Sequence, residues 1–161
     1  MNKVGFTGHR PEKLGGYDDD TFTKLVSFSI NILEENKIKH ANIGMALGFD
    51  QSVAFACVYL NIPFSAFIPF KGQENKWPNS AKERYLKVLR EAKNIIIVSE
   101  GEYASWKMQI RNEAIVNNSD KMICLWDGSD SGTGNCVKYA KRKNIEVINV
   151  WDKWINFKLD K

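Results

Sequence analysis

Apolar residues recur along this chain in two rhythms. Short apolar runs at residues 3–6, 41–45, 63–68, 94–98, 121–126 and 146–150 have the length of strands buried in a sheet. The run Asn94, Ile95, Ile96, Ile97, Val98 is the clearest of them and reads as a buried parallel strand. Between these runs, residues 19–36, 49–60, 80–92, 103–118 and 135–143 read as helices. In the first helix Phe22, Leu25, Val26, Ser29, Ile32 and Leu33 share one face, and Asp18, Asp19 and Asp20 supply caps. The second helix is apolar almost throughout, and the third turns Leu86, Val88 and Leu89 inward.

This alternation of strand and helix, with connections long enough for crossovers, predicts an α/β fold. Its doubly wound, mostly parallel sheet carries helices on both faces. The chain length fits one domain, residues 1–161. A C-terminal tail, residues 151–161, carries Trp151, Trp154, Ile155 and Phe157. It is expected to pack back on the domain rather than to form a self-association patch. Homo-oligomerisation stays open at this stage.

Composition narrows the function classes. The chain is 43% hydrophobic and 26% charged, with a formal net charge of +4, which suits an anionic ligand. That tilt is too small, and too evenly spread, to argue for nucleic acid. Three widely spaced cysteines, Cys57, Cys124 and Cys136, form neither a disulfide ladder nor a zinc pattern, so a cytoplasmic location is expected. No stretch reaches the roughly 20 apolar residues of a membrane span. No signal peptide is expected ahead of the first strand, and no metal or cofactor is expected.

The candidate chemistry sits in three polar, glycine-bearing segments that each follow a strand. The first runs from Thr7 through Gly8, His9 and Arg10 to Pro11, the second from Gly44 through Gly48 to Asp50, and the third from Trp126 to Gly134. Loops after parallel strands open on one sheet edge, so segments far apart in sequence meet at one crevice. Neither a dinucleotide G-x-G-x-x-G nor a G-x-x-x-x-G-K-[ST] phosphate loop is present, which argues against NAD redox chemistry and P-loop hydrolysis. Arg10 is placed to grip a phosphate, and His9 to donate a hydrogen bond or move a proton. Asp50 caps the following helix, binds a sugar hydroxyl, or does both. Gly128, Ser131, Gly132 and Thr133, ahead of a helix, read as an anion cradle. Asp127 in the same segment needs a sugar hydroxyl or a cation, and Arg111 on the preceding helix is a candidate for the latter. The 69–77 loop offers Gln73, Glu74 and Trp77, the last as a core anchor or a stacking surface for a base.

Taken together, these segments resemble the YpsA/YspA-type proteins of the SLOG superfamily, which includes DprA (Smf) and the Lonely Guy enzymes. The residues that carry the resemblance are Thr7 to Pro11, Gly44, Met45, Ala46, Gly48 and Asp50, the Gln73–Glu74 loop ending at Trp77, Trp126 to Gly128, and Gly132–Thr133. It extends in one register to about Val150. It implies a Rossmann-like fold, a nucleotide-derived ligand and a source in bacteria or their phages. In the Lonely Guy pattern for N-glycosidic hydrolysis, Arg111 matches the functional Arg, but the Glu position falls on Cys136. A thiol is a poor substitute for that carboxylate, so Asp50, Glu74 or Glu113 would have to supply one.

The expected function is binding of a nucleotide or nucleotide-derived ligand, ADP-ribose-related compounds included. Gly8, Arg10, Ser131, Gly132 and Thr133 would hold phosphate, Asp50 and Asp127 sugar hydroxyls, and Trp77 a base. His9, Gly44, Gly48 and Gly128 complete the expected lining. The rivals are a Lonely Guy-type N-glycosidase using Arg111 with Asp50 or Glu74, and DprA-like binding of single-stranded DNA.

Overall fold

A computed structural model describes residues 2–159 of the protein; residue 1 and the last two tail residues, 160 and 161, lie outside the described residues. Six parallel strands form one sheet: β1 (Lys3–Gly8), β2 (His40–Ile43), β3 (Phe64–Ile68), β4 (Asn94–Ile97), β5 (Lys121–Leu125) and β6 (Glu146–Asn149). Their order is β4-β3-β2-β1-β5-β6, so the chain winds outward from β1 in one direction and then from β5 in the other. Every pairing is parallel, which makes the sheet a doubly wound, Rossmann-like one.

Five helices connect the strands, α1 (Asp19–Glu35), α2 (Phe49–Leu60), α3 (Asn79–Leu89), α4 (Ser105–Asn117) and α5 (Gly132–Arg142), and α6 (Trp151–Ile155) follows β6. The larger core lies on the face covered by α1, α2, α3 and α6. A smaller one, with Ile115, Val116, Met122, Cys136 and Ala140, lies under α4 and α5. Helix α1 starts where Asp18 accepts hydrogen bonds from the Thr21 N–H at 3.0 Å and the Thr21 hydroxyl at 2.8 Å. Its buried stripe is Leu25, Phe28, Ser29, Ile32 and Leu33. Helix α2 is buried on nearly every side because it packs on β1, β2, α1 and α3, which explains its largely apolar sequence.

Several expectations need correction. The isoleucine run at 94–98 is not a buried central strand. It forms the edge strand β4, with Ile95, Ile96 and Ile97 exposed by 51%, 38% and 50%. The reason is coverage: α4 packs over β1 and β3, and α3 leans on α2. Leu86 likewise points outward, and Tyr85 takes its expected place in the core. β1 runs on through Thr7 and Gly8, where a break was expected, and Pro11–Lys13 forms a single 3-10 turn. Helix α5 begins at Gly132 rather than near residue 135, so the third glycine segment is partly helical.

The tail does pack back. Helix α6 buries Trp154, whose ring meets Phe28 edge-on at 5.3 Å, and Phe157 meets the Phe28 ring at 5.4 Å. Lys24 lies 4.6 Å over the indole of Trp154. Replacing Trp154 with Ala should cost about 3–5 kcal/mol, as for other large-to-small core changes. Urea denaturation measures this, and a change below about 1 kcal/mol would show that the tail contributes little to the core.

Candidate functional site

The strand order reverses between β1 and β5, and both strands end at a crevice there. A cavity of about 320 Å³ fills it. Thr7, Gly8, His9 and Arg10 come to it from the end of β1, Ala46 and Asp50 from the β2–α2 segment, Arg111 and Asn112 from α4, and Ser131, Gly132 and Thr133 from α5. A second cavity of about 680 Å³ adjoins it, with Phe70, Gln73, Trp77 and Tyr103 in its wall. Arg10 and Met108 line both.

Two glycines allow the backbones to come this close. A Cβ on Gly8 would lie 2.5 Å from the Phe49 ring, so β1 packs directly on the start of α2. Gly48 has φ +96°, and a Cβ there would lie 2.5 Å from the His9 carbonyl oxygen. That carbonyl accepts a hydrogen bond from the Phe49 N–H at 3.3 Å, which joins the first and second glycine segments. Met45, just before, is buried with φ +62°, a strained conformation of the kind that gathers at functional sites.

Arg111 organises the floor. Its side chain is buried, Nη1 donates to the Gly44 carbonyl at 2.7 Å, and Nε donates to Asn112 Oδ1 at 2.9 Å. Asn112 in turn donates to the Gly132 carbonyl at 3.3 Å. One Arg–Asn step on α4 thus ties the β2 loop to the start of α5. Gly44 serves here as the partner of Arg111 rather than as part of the cavity wall. The expected pairing of Arg111 with Asp127 does not occur.

Asp127 pairs with His9 instead. Its Oδ1 lies 2.8 Å from His9 Nε2, and Lys13 Nζ lies 3.4 Å from Oδ2. The Ser129 hydroxyl at 2.5 Å and the Ser129 N–H at 3.0 Å also donate to this carboxylate. The Ser129 bonds foremost, then His9, hold Asp127 far below the usual carboxylate range. Burial pulls His9 below its ordinary value, partly offset by Asp127. The Asp127 N–H also lies 3.0 Å from Nε2, so Nε2 donates to the carboxylate in one tautomer of His9 and accepts from that N–H in the other. The His9–Asp127 contact therefore joins the ends of β1 and β5. Asp127 and Gly128 stand behind the cavity rather than in its wall.

At the start of α5, the Ser131 hydroxyl accepts from the Gly134 N–H at 3.0 Å. The N–H groups of Gly132 and Thr133 are left without intrahelical partners, as at any helix N-terminus, and both residues line the cavity. A Cβ on Gly132 would meet nothing within 4 Å, so there is open room at that point.

Asp50 departs most from ordinary chemistry. Oδ2 accepts from the Ala46 N–H at 3.2 Å, while the buried Oδ1 has no partner among the described residues. Burial pushes the pKa of this carboxyl up to about 6, against the opposing pull of Arg111, the Ala46 N–H and Arg10. An unpaired buried carboxylate oxygen in a cavity wall marks a place where a ligand donor can dock.

Trp77 is anchored edge-on against Tyr85 at 5.2 Å and also lines the larger cavity. Glu74 lines neither cavity. Cys136 is buried and burial pushes its thiol up to about 12, so no ionised group stands at the Lonely Guy Glu position. Sequence reasoning missed Asn112, Met108, Tyr103 and Lys107. Buried Lys107 donates to the Glu100 carbonyl at 2.5 Å and also to that of Glu102, fixing the loop that carries Tyr103. Asn112 follows Arg111 directly, and that adjacency was the available signal. The others have none in the sequence.

A profile of the YspA SLOG family matches residues 4–157. A SPbeta prophage-derived protein, YoqJ, of Bacillus subtilis is 36% identical over 128 residues, covering 69% of this chain and 74% of that protein. A UPF0398 protein of Bacillus thuringiensis is 22% identical over 168 residues, covering 98% of this chain and 91% of its own. Among solved structures, DNA processing protein A of Streptococcus pneumoniae superposes with a TM-score of 0.65 at 17% identity, over 91% of this chain but 49% of that one. The protein TM1055 superposes with a TM-score of 0.61 at 13% identity, covering 99% of this chain and 84% of that one. These two similarities concern the fold. No helix among the described residues is long and apolar enough to cross a membrane.

The Asp50 carboxyl should oppose folding at neutral pH. Its folded value of about 6 lies above the unfolded 3.8, so the folded chain holds the proton more tightly and loses stability as pH rises through that window. Asp50→Asn should therefore raise stability at pH 8 by up to about 3 kcal/mol and change little near pH 3. Denaturant titrations at both pH values measure this, and equal effects at both would remove the unpaired carboxylate as the cause.

Proposed function

The chain belongs to the YspA SLOG family, and from that premise we propose that it binds a nucleotide or nucleotide-derived ligand where β1 and β5 diverge. The observation that carries this reading is convergence. Arg10, the partnerless Asp50 Oδ1 and the first turn of α5 reach one cavity from three separate segments. Ligands of open parallel sheets sit at such a switch point.

The roles divide by chemistry. The phosphate lies against the N–H groups of Gly132 and Thr133, with the helix N-terminus and Arg10 supplying positive potential. Arg10 is exposed at the rim and makes no ion pair among the described residues, so its guanidinium is free to bind. A sugar hydroxyl donates to Asp50 Oδ1. The base enters the larger cavity, between Trp77 and Tyr103. Two cavities sharing Arg10 favour a ligand with a charged middle and a flat end, which an ADP-ribose-like compound satisfies. Gly8 and Gly48 act by letting the walls approach, and His9 and Asp127 by holding two loops together.

A hydrolytic reading has one observation in its favour, namely Asp50 itself. A carboxyl with an unusually high affinity for its proton, facing a cavity beside Arg111, has the character of an acid–base group. Glu74 is dropped from that reading because it lines neither cavity, although Gln73 and Asn75 on either side of it line the larger one. In the single-stranded DNA reading, affinity falls steeply with salt.

Denaturing the purified protein and identifying released small molecules by mass spectrometry tests the proposal. Calorimetry with AMP, ADP and ADP-ribose then measures affinity. A charge-assisted phosphate contact is worth roughly 1.5–3 kcal/mol, so Arg10→Ala should weaken binding at least about tenfold. Asp50→Asn should reduce the preference for ribose over deoxyribose. An unchanged affinity in Arg10→Ala removes the phosphate assignment. Release of free base from nucleoside monophosphates, abolished by Asp50→Asn, would favour the hydrolytic reading.

A further inference from the structure

We propose that the chain forms a two-fold dimer by antiparallel pairing of its β4 edge with β4 of a second copy. The inference is independent of the ligand reading. It starts from a mismatch between sequence and surroundings: strands of an all-parallel sheet are normally covered on both faces, and this sequence has that composition. Yet Ile95, Ile96 and Ile97 are all exposed on one open edge.

The exposed isoleucines of β4 fall on both faces of the sheet. Ile95 and Ile97 lie beside Ala66 and Ile68, on the face of the larger core, where α3 presents exposed Leu86. Ile96 lies beside Phe67 on the other face, where α4 presents exposed Trp106 and Ile110. None of the usual protections of a free edge occurs within Asn94–Ile97: no proline, no lysine and no inward-pointing charge. The opposite edge differs. β6 is Glu146–Asn149, its Val147 and Ile148 are half-buried, and its Asn149 side chain is bonded to the Trp126 backbone at 2.9 Å.

Charge identifies the occupant as a second copy. Arg90, Glu91 and Lys93 are exposed just before β4 and leave that end net basic, and Glu100 and Glu102 are exposed just after it and make that end acidic. An antiparallel, two-fold arrangement brings the basic end of each copy to the acidic end of the other. It pairs the open backbone groups and stacks isoleucines on isoleucines. A parallel pairing would set like charges together at both ends.

Light scattering on the purified full chain should give twice the chain mass. Ile96→Lys places a charge in the seam and should weaken the dimer at least about tenfold. Lys93→Glu alone and Glu100→Lys alone should each weaken self-association, through repulsion at both ends of the seam. Mixing these two variants should restore a heterodimer, because both ends then regain opposite charges. Both substitutions are on the surface, so circular dichroism should show an unchanged fold. A monomeric wild-type chain would overturn the proposal, and so would a dimer that survives Ile96→Lys and both charge reversals.

Discussion

The buried guanidinium of Arg111 is the constraint on which the crevice depends. It lies on α4, reaches the Gly44 carbonyl at 2.7 Å and leans on Asn112, which reaches the Gly132 carbonyl. Taking a guanidinium out of water is costly unless its donors are satisfied. Here carbonyl oxygens do this, and no carboxylate lies within ion-pair distance among the described residues. The β2 loop and the first turn of α5 are thereby fixed relative to each other, although 88 residues separate Gly44 from Gly132. A lysine could not do the same, because a point charge lacks the fork that serves two partners in fixed directions.

Asp50 shows the other side of this arrangement. Its carboxylate is near enough to Arg111 to feel its charge, yet Oδ1 is left without a donor. A site optimised for stability alone would have closed that gap with a hydrogen bond or an apolar residue. The cavity wall instead combines an unfulfilled acceptor with two unfulfilled helix N–H groups. Local instability of this kind is characteristic of surfaces built to be completed by something else.

The His9–Asp127 contact has a different role. It joins the two strands that part at the switch point, and Trp151 packs edge-on against the same imidazole at 6.0 Å. The tail that follows β6 therefore supports the back of the crevice as well as the core beneath α1. Loops with little regular structure gain rigidity from these few polar links, which places the cavity-lining groups on a firm frame.

The sequence by itself determined the alternation of strands and helices, because period and run length depend on local residue order. It also determined which segments converge, because a parallel sheet sends every strand-end loop to one edge. Hence Arg10, Asp50, Ser131 and Thr133 were legible as neighbours. Tertiary structure alone decided which cation meets which carboxylate: Asp127 could equally have met Arg111, and packing gave it His9 and Lys13. It also decided that the isoleucines of β4 lie at an edge, since strand order depends on how crossovers wind and not on the composition of any one strand. Asn112 and Lys107 act through backbone carbonyls, and carbonyls carry no mark in the sequence.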